Sequence, residues 1–125
     1  MPKRMASGAG WRLGWQSEAE VFEGLVGGDR WAIELTGQEL RDFCRLSLQL
    51  ADTMTHMETE LSDREKLTCT AATEMIRVEV TGYPQEFSLH AQLQVGRRAE
   101  LDWAASSVPE LIAAIKNLTA DLNPT

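Results

Sequence analysis

The side chains from which a nucleophile, a general base or a metal site could be built are few in this chain. There are two histidines, His56 and His90, and two cysteines, Cys44 and Cys69. Their spacing argues against all three chemistries. No C-x-x-C motif is present and neither cysteine has a histidine close by in sequence, so the thiols read as reduced and buried. His56 falls beside Met54 and Met57 on a helical stripe, and His90 on the polar side of an alternating strand. Glu100 and Asp102 share one strand face, where they could hold a cation or an acid/base pair, and a solvated face accounts for them equally well. No G-x-S-x-G, H-E-x-x-H or phosphate loop occurs. The glycine-rich GLVGG lies between strands and lacks the Lys-Ser/Thr that would complete a phosphate cradle. The expectation is a protein with no catalytic residue, no cofactor and no metal, and therefore not an enzyme.

Ligand contact without catalysis is the next chemistry to weigh. Single-stranded nucleic acid is bound by basic side chains interleaved with aromatic rings on which bases stack. In GWRLGWQ, residues 10–16, Trp11, Leu13 and Trp15 share one face of a strand, and Arg12 sits on the other between Gly10 and Gly14. Arg30, Arg97 and Arg98 cluster at hairpin turns. The nucleic-acid candidates are thus Arg12, Trp15, Arg30, Arg97 and Arg98, with Trp11 nearby. Against them, the outer strand face carries Glu34, Glu79, Glu100 and Asp102 for only Arg12 and Arg77, a balance that repels phosphates. Alternation pairs Trp11, Leu13 and Trp15 with Trp31, Ile33 and Leu35 as a core face under helices.

These candidates must be positioned by elements legible as strands and helices. Residues 1–9 are small and polar and read as a flexible arm. WRLGW, VFEGLVG and WAIEL read as strands, with GGD as a hairpin turn. Thr36 with Glu39 forms a capping box that opens a helix through Leu40, Phe43, Cys44, Leu50, Met54 and Met57 to Leu61. Leu46 and Leu48 widen its apolar stripe beyond what one sheet requires. The excess implies a second contact, with the other helix or another subunit, and Leu46, Leu48, Met54 and Met57 are the candidate interaction surface.

SDREK breaks that helix. KLTCTA, MIRVEV and EFSLHAQLQV then alternate with period two, and AELDW adds a strand. In EFSLHAQLQV the inward set runs from Phe87 to Val95. Ser107 with Glu110 reads as a second capping box before a final helix that ends near Asn123-Pro124. The predicted fold is α+β, in the order β3-α-β4-α, with antiparallel strands and two helices on the apolar side. Both halves, about 10–61 and 67–122, run strand, glycine turn with arginine, strand, T/S-x-x-E-L, helix. The length of 125 residues supports one domain, spanning 10–123.

Acids outnumber bases 19 to 12, giving a net charge of −7 that works against broad phosphate binding. The start lacks an apolar signal region and no run approaches a membrane span, so a cytoplasmic location is expected.

GAGWRLGW, FEGLVGGDRWAIELT, DFCRLSLQLADTM, GYPQEFSLHAQLQVGRRAELDW and VPELIAA resemble a family of cyanobacterial proteins catalogued as domain of unknown function 1818. The resemblance runs from Gly8 to about Leu118. It implies a fold similar to the single-stranded-DNA-binding transcriptional regulators, including the plant Whirly proteins, which are built from repeated antiparallel sheets each followed by a helix. The family has no established activity, so no functional residue carries over, and the lysine-rich KGKAAL-like strand with which Whirly proteins bind single strands has no counterpart here. The functional expectation is a small acidic interaction or accessory protein with an unidentified protein partner, or a homodimer. The alternative is a single-strand nucleic-acid-binding module.

Overall fold

A computed structural model describes residues 3–58 and 65–122. The strands are β1 (Lys3–Gly8), β2 (Trp11–Gln16), β3 (Gly24–Gly27) and β4 (Ala32–Leu35), followed by helix α1 (Gly37–Met57). Then come β5 (Leu67–Ala72), β6 (Ile76–Tyr83), β7 (Glu86–Leu93), β8 (Glu100–Trp103) and helix α2 (Val108–Leu122). Each set of four strands forms its own antiparallel sheet in simple sequence order. The chain is thus α+β, a β4-α unit made twice.

The first half gains a strand over expectation. Residues 3–8 are not a loose arm: β1 pairs with β2 from Lys3↔Gln16 to Gly8↔Trp11. Its side chains are all exposed, so hydrophobic alternation could not reveal it, and only a neighbouring strand gives its amides partners. Gly10, at φ +83, turns β1 into β2, and its N–H donates to Asp29 Oδ1 at 3.0 Å.

The capping box of α1 forms as read. Thr36 Oγ1 accepts from the Glu39 N–H at 3.1 Å, and Glu39 Oε1 accepts from the Thr36 N–H at 2.9 Å. The expected last turn of this helix, to Leu61, lies outside the described residues. The second capping box does not form. Ser107 Oγ donates instead to the Ala9 carbonyl at 2.8 Å, and Glu110 Oε1 accepts from Trp11 Nε1 at 2.9 Å. Both side chains hold the β1–β2 turn onto α2, a long-range use that competes with the local one. The strand from Phe87 also stops short of Val95. Leu93 N–H bonds the Ala99 carbonyl, the chain turns through Gly96 and Arg98 with positive φ, and Val95 is exposed.

The two units interlock. α1 follows the first sheet but lies chiefly on β5 and β6 of the second, while α2 follows the second sheet and lies on β1 and β2 of the first. One core runs through both halves, from Trp11, Leu13 and Val26 to Val78, Leu89 and Ile115. Trp103 sits at its centre. Its ring meets Trp31 and Phe43 at centroid distances of 5.3 and 5.4 Å, and its Nε1–H donates to the Gly27 carbonyl at 2.9 Å. Aromatic pairs at such separations add to the stabilisation from burial.

Two outcomes are expected. Trp103→Phe keeps most of the ring but orphans a buried carbonyl, and chemical denaturation will register a loss of about 1–3 kcal/mol. Fragments 1–64 and 65–125 will each lack a cooperative thermal transition by circular dichroism, because each leaves behind the helix that covers its sheet.

Candidate functional site

The expected nucleic-acid residues are used in different ways. Arg12 Nε donates to the Gly28 carbonyl at 2.8 Å, and its Nη2 to the Trp31 carbonyl at 2.6 Å. Gly28 N–H reaches the same Trp31 oxygen at 2.9 Å, so Arg12 closes the GGDR turn from across the sheet. Gly27 stands opposite Arg12, and a Cβ there would meet the Trp31 carbonyl oxygen at 2.4 Å. Gly14 does not make room for Arg12: a Cβ there would meet Met5 Sδ at 2.3 Å.

Arg97 donates to the Glu34 carbonyl and to Glu39 Oε1, and its guanidinium lies 4.9 Å from the centre of the Phe22 ring. It therefore ties the β7–β8 turn to the α1 capping box, where Glu39 is buried. Trp15 faces the core with Trp11 and Leu13, its Nε1 buried and without a partner. Of the five, Arg30 and Arg98 alone are exposed with no polar partner among the described residues, at the equivalent turns the repeat had matched.

Of the groups that could do chemistry, Cys44 and both histidines are engaged, while Cys69, expected to be buried, is only half-buried on the edge strand β5. Burial pushes the Cys44 thiol up to about 12, which makes it inert as a nucleophile at neutral pH. His90 lies between the two acids singled out on β8. Its Nδ1 is 2.6 Å from Asp102 Oδ1 and its Nε2 is 3.3 Å from Glu100 Oε1. Nδ1 is hydrogen-bonded to Asp102 and Nε2 lies within ion-pair distance of Glu100, so the pair of acids is bridged by a side chain on its own sheet. His56 Nδ1 lies 2.8 Å from the Asp52 carbonyl one turn back. No cluster of three or more metal-ligating side chains occurs among the described residues.

The wide stripe of α1 resolves into inside and outside. Leu46 and Met54 are 3% and 0% exposed and belong to the core, so they cannot offer a surface. The covering element is α2, packed along α1. Met57 is half-buried near the helix end, and Leu48 is half-buried and faces outward. Leu48 forms the floor of a groove of about 680 Å³ between α1, α2 and the β6–β7 turn. Phe87, Val108 and Ile112 complete the floor. Arg45 and Lys116 stand on its rim with Asp52 and Glu86. Small residues, Ala51 and Ala105, keep the channel open, and Pro109 in the first turn of α2 fits the helix start without removing a needed donor. Sequence reasoning found Leu48 through the over-wide stripe. It missed Phe87 as a groove residue, because alternation assigns a side to a residue but not its distance from the sheet's covered centre.

The fold and groove define a class of α+β domain built from a duplicated four-stranded sheet and helix. No helix among the described residues is long and apolar enough to cross a bilayer. The chain belongs to the family described as Domain of unknown function (DUF1818), whose model matches residues 6–118. A crystal structure of a protein of unknown function, titled as from the DUF155 family, from Prochlorococcus sp. NATL2A has the same fold. It superposes with a TM-score of 0.84 at 24% identity, over 94% of this chain and 98% of that one. No curated protein matches.

The thiol gives a checkable pH dependence. A thiol raised from 9.0 to about 12 stays protonated in the folded state where the unfolded chain has begun to ionise. Its stabilising contribution is therefore complete below pH 9.0 and is lost as the pH rises toward about 12. The denaturation midpoint of the wild type will fall more steeply across that window than that of Cys44→Ala.

Proposed function

We propose that this protein is a non-enzymatic accessory factor that binds a partner protein in the groove between its two helices. The observation that carries this reading is the groove itself. It has an apolar floor of Leu48, Phe87 and Ile112 left half-exposed beside a well-filled core, within a rim of both charge signs. Grooves of this kind accept the apolar face of an amphipathic helix, whose anchors at successive turns fill the floor while its flanks meet the charges. The occupant is therefore an amphipathic helical segment with mixed flanking charge. The chemistry elsewhere supports a binding role: the Cys44 thiol is buried, both imidazoles are tied to their own fold, and the net charge of −7 disfavours a nucleic-acid partner.

The test compares wild type with Leu48→Glu and Ile112→Glu, each first shown to melt as a folded protein. Captured from a cyanobacterial extract and cross-linked, the wild type is expected to retain a defined partner joined to α1 or α2, and both variants to lose it by tenfold or more. Equal recovery by all three sinks the reading. A parallel titration with oligonucleotides at low salt is expected to leave tryptophan fluorescence flat. A saturable, salt-sensitive quench abolished by Arg30→Ala and Arg98→Ala would replace a protein partner with single-stranded nucleic acid.

A further inference from the structure

A sheet edge is a row of unpaired N–H and C=O groups, and proteins commonly blunt such edges with charge, proline or brevity. The two sheets here have four edges, β1, β4, β5 and β8. β4 and β8 are four residues each and carry Glu34, Glu100 and Asp102. β1 carries Lys3 and Arg4. β5 has none of these defences: its six residues, LTCTAA, include no charge and no proline.

The edge is also rigidly presented. Thr73 Oγ1 accepts from the Met75 and Ile76 amides and donates to Asp42 Oδ2 of α1 at 2.9 Å, which pins the β5–β6 turn to the helix. Thr73 N–H bonds the Ile76 carbonyl at 2.8 Å, so Leu67, Cys69 and Ala71 point their backbone groups at β6. Thr68, Thr70 and Ala72 therefore direct theirs outward, and nothing among the described residues pairs with them. On the inner face Leu67, Cys69 and Ala71 are only half-buried, because α1 does not reach past the edge.

We propose that β5 is the seam of a symmetric dimer, in which it pairs antiparallel with the β5 of a second copy to join the two second sheets into one of eight strands. Charge complementarity selects this occupant and this direction. Lys66 and Glu74 are exposed at opposite ends of the segment. With Thr70 on the twofold axis, Thr70 faces Thr70, Thr68 faces Ala72, and Lys66 of each copy meets Glu74 of the other. The register keeps polar threonines on the outer face and sets Cys69 against Ala71 on the inner one, each half-buried side chain covering its counterpart. About six backbone hydrogen bonds cross such a seam. A symmetric pairing also closes on itself and leaves no further β5 edge exposed to recruit a third chain.

Sedimentation of the full chain reads the outcome directly. The wild type is expected at twice the chain mass. Thr70→Pro removes only an outward-facing amide and leaves the β5–β6 ladder intact, so it is expected to halve the mass while keeping its circular dichroism. Should the proline unfold the strand, Lys66→Glu serves in its place. That variant is expected to weaken the dimer at least tenfold, and the double exchange Lys66→Glu/Glu74→Lys to restore it. Thr70→Cys in a Cys69→Ser background is expected to form an interchain disulfide under mild oxidation. A wild type that sediments as a monomer overturns the proposal, and so does a dimer that neither the folded Thr70→Pro variant nor Lys66→Glu weakens. The result is independent of the groove between the helices, since Leu48→Glu leaves the seam untouched.

Discussion

The hydrogen bond from the Trp103 indole to the Gly27 carbonyl joins the last strand of one sheet to the first unit's hairpin, and much of the structure is arranged around it. A tryptophan fully inside a protein must satisfy its N–H, and the nearest available acceptor here is a backbone carbonyl of the other half. Its neighbours Gly27 and Gly28 divide the work: one carbonyl receives Trp103, the next receives Arg12. The same turn supplies Asp29 to the Gly10 amide and Trp31 to the aromatic cluster. GGDRW thus serves as a hub through which β2, β8 and the β1–β2 turn are held in one arrangement.

This hub explains why basic residues that suggested a phosphate track do not form one. Both arginines spend guanidinium donors on backbone carbonyls of the fold, Arg12 on Gly28 and Trp31 and Arg97 on Glu34. Arg97 also places a cation at the buried carboxylate of Glu39, linking the second unit to the cap of α1. The arginines are part of the joint between halves. The groove proposed for a partner is apolar in its floor, mixed in the charge of its rim, and lies between the two helices.

Much of this was legible from residue order. Strand patterning located seven of the eight strands, period-3.6 stripes located both helices, and the Thr36–Glu39 box placed the start of α1. β1 was missed because its exposed side chains carry no hydrophobic period. The Ser107–Glu110 box failed because the same side chains are better donors and acceptors for Ala9 and Trp11. The family resemblance agrees with the match over residues 6–118. The groove was visible only as an excess: Leu48 widened a stripe, but nothing local says whether a second helix covers it.

The sequence by itself determined the units, because helix caps, turns and strand faces follow from contacts within a few residues. Their duplication was equally visible, as a repeated order of strand, glycine turn, strand and capped helix. The tertiary structure alone decided the exchange, in which α1 covers β5 and β6 while α2 covers β1 and β2. Apolar burial is non-directional and either pairing of helix with sheet would satisfy it. The choice falls to specific long-range bonds, Trp103 to Gly27, Glu110 to Trp11 and Arg97 to Glu39, whose partners lie 76, 99 and 58 residues apart in the chain.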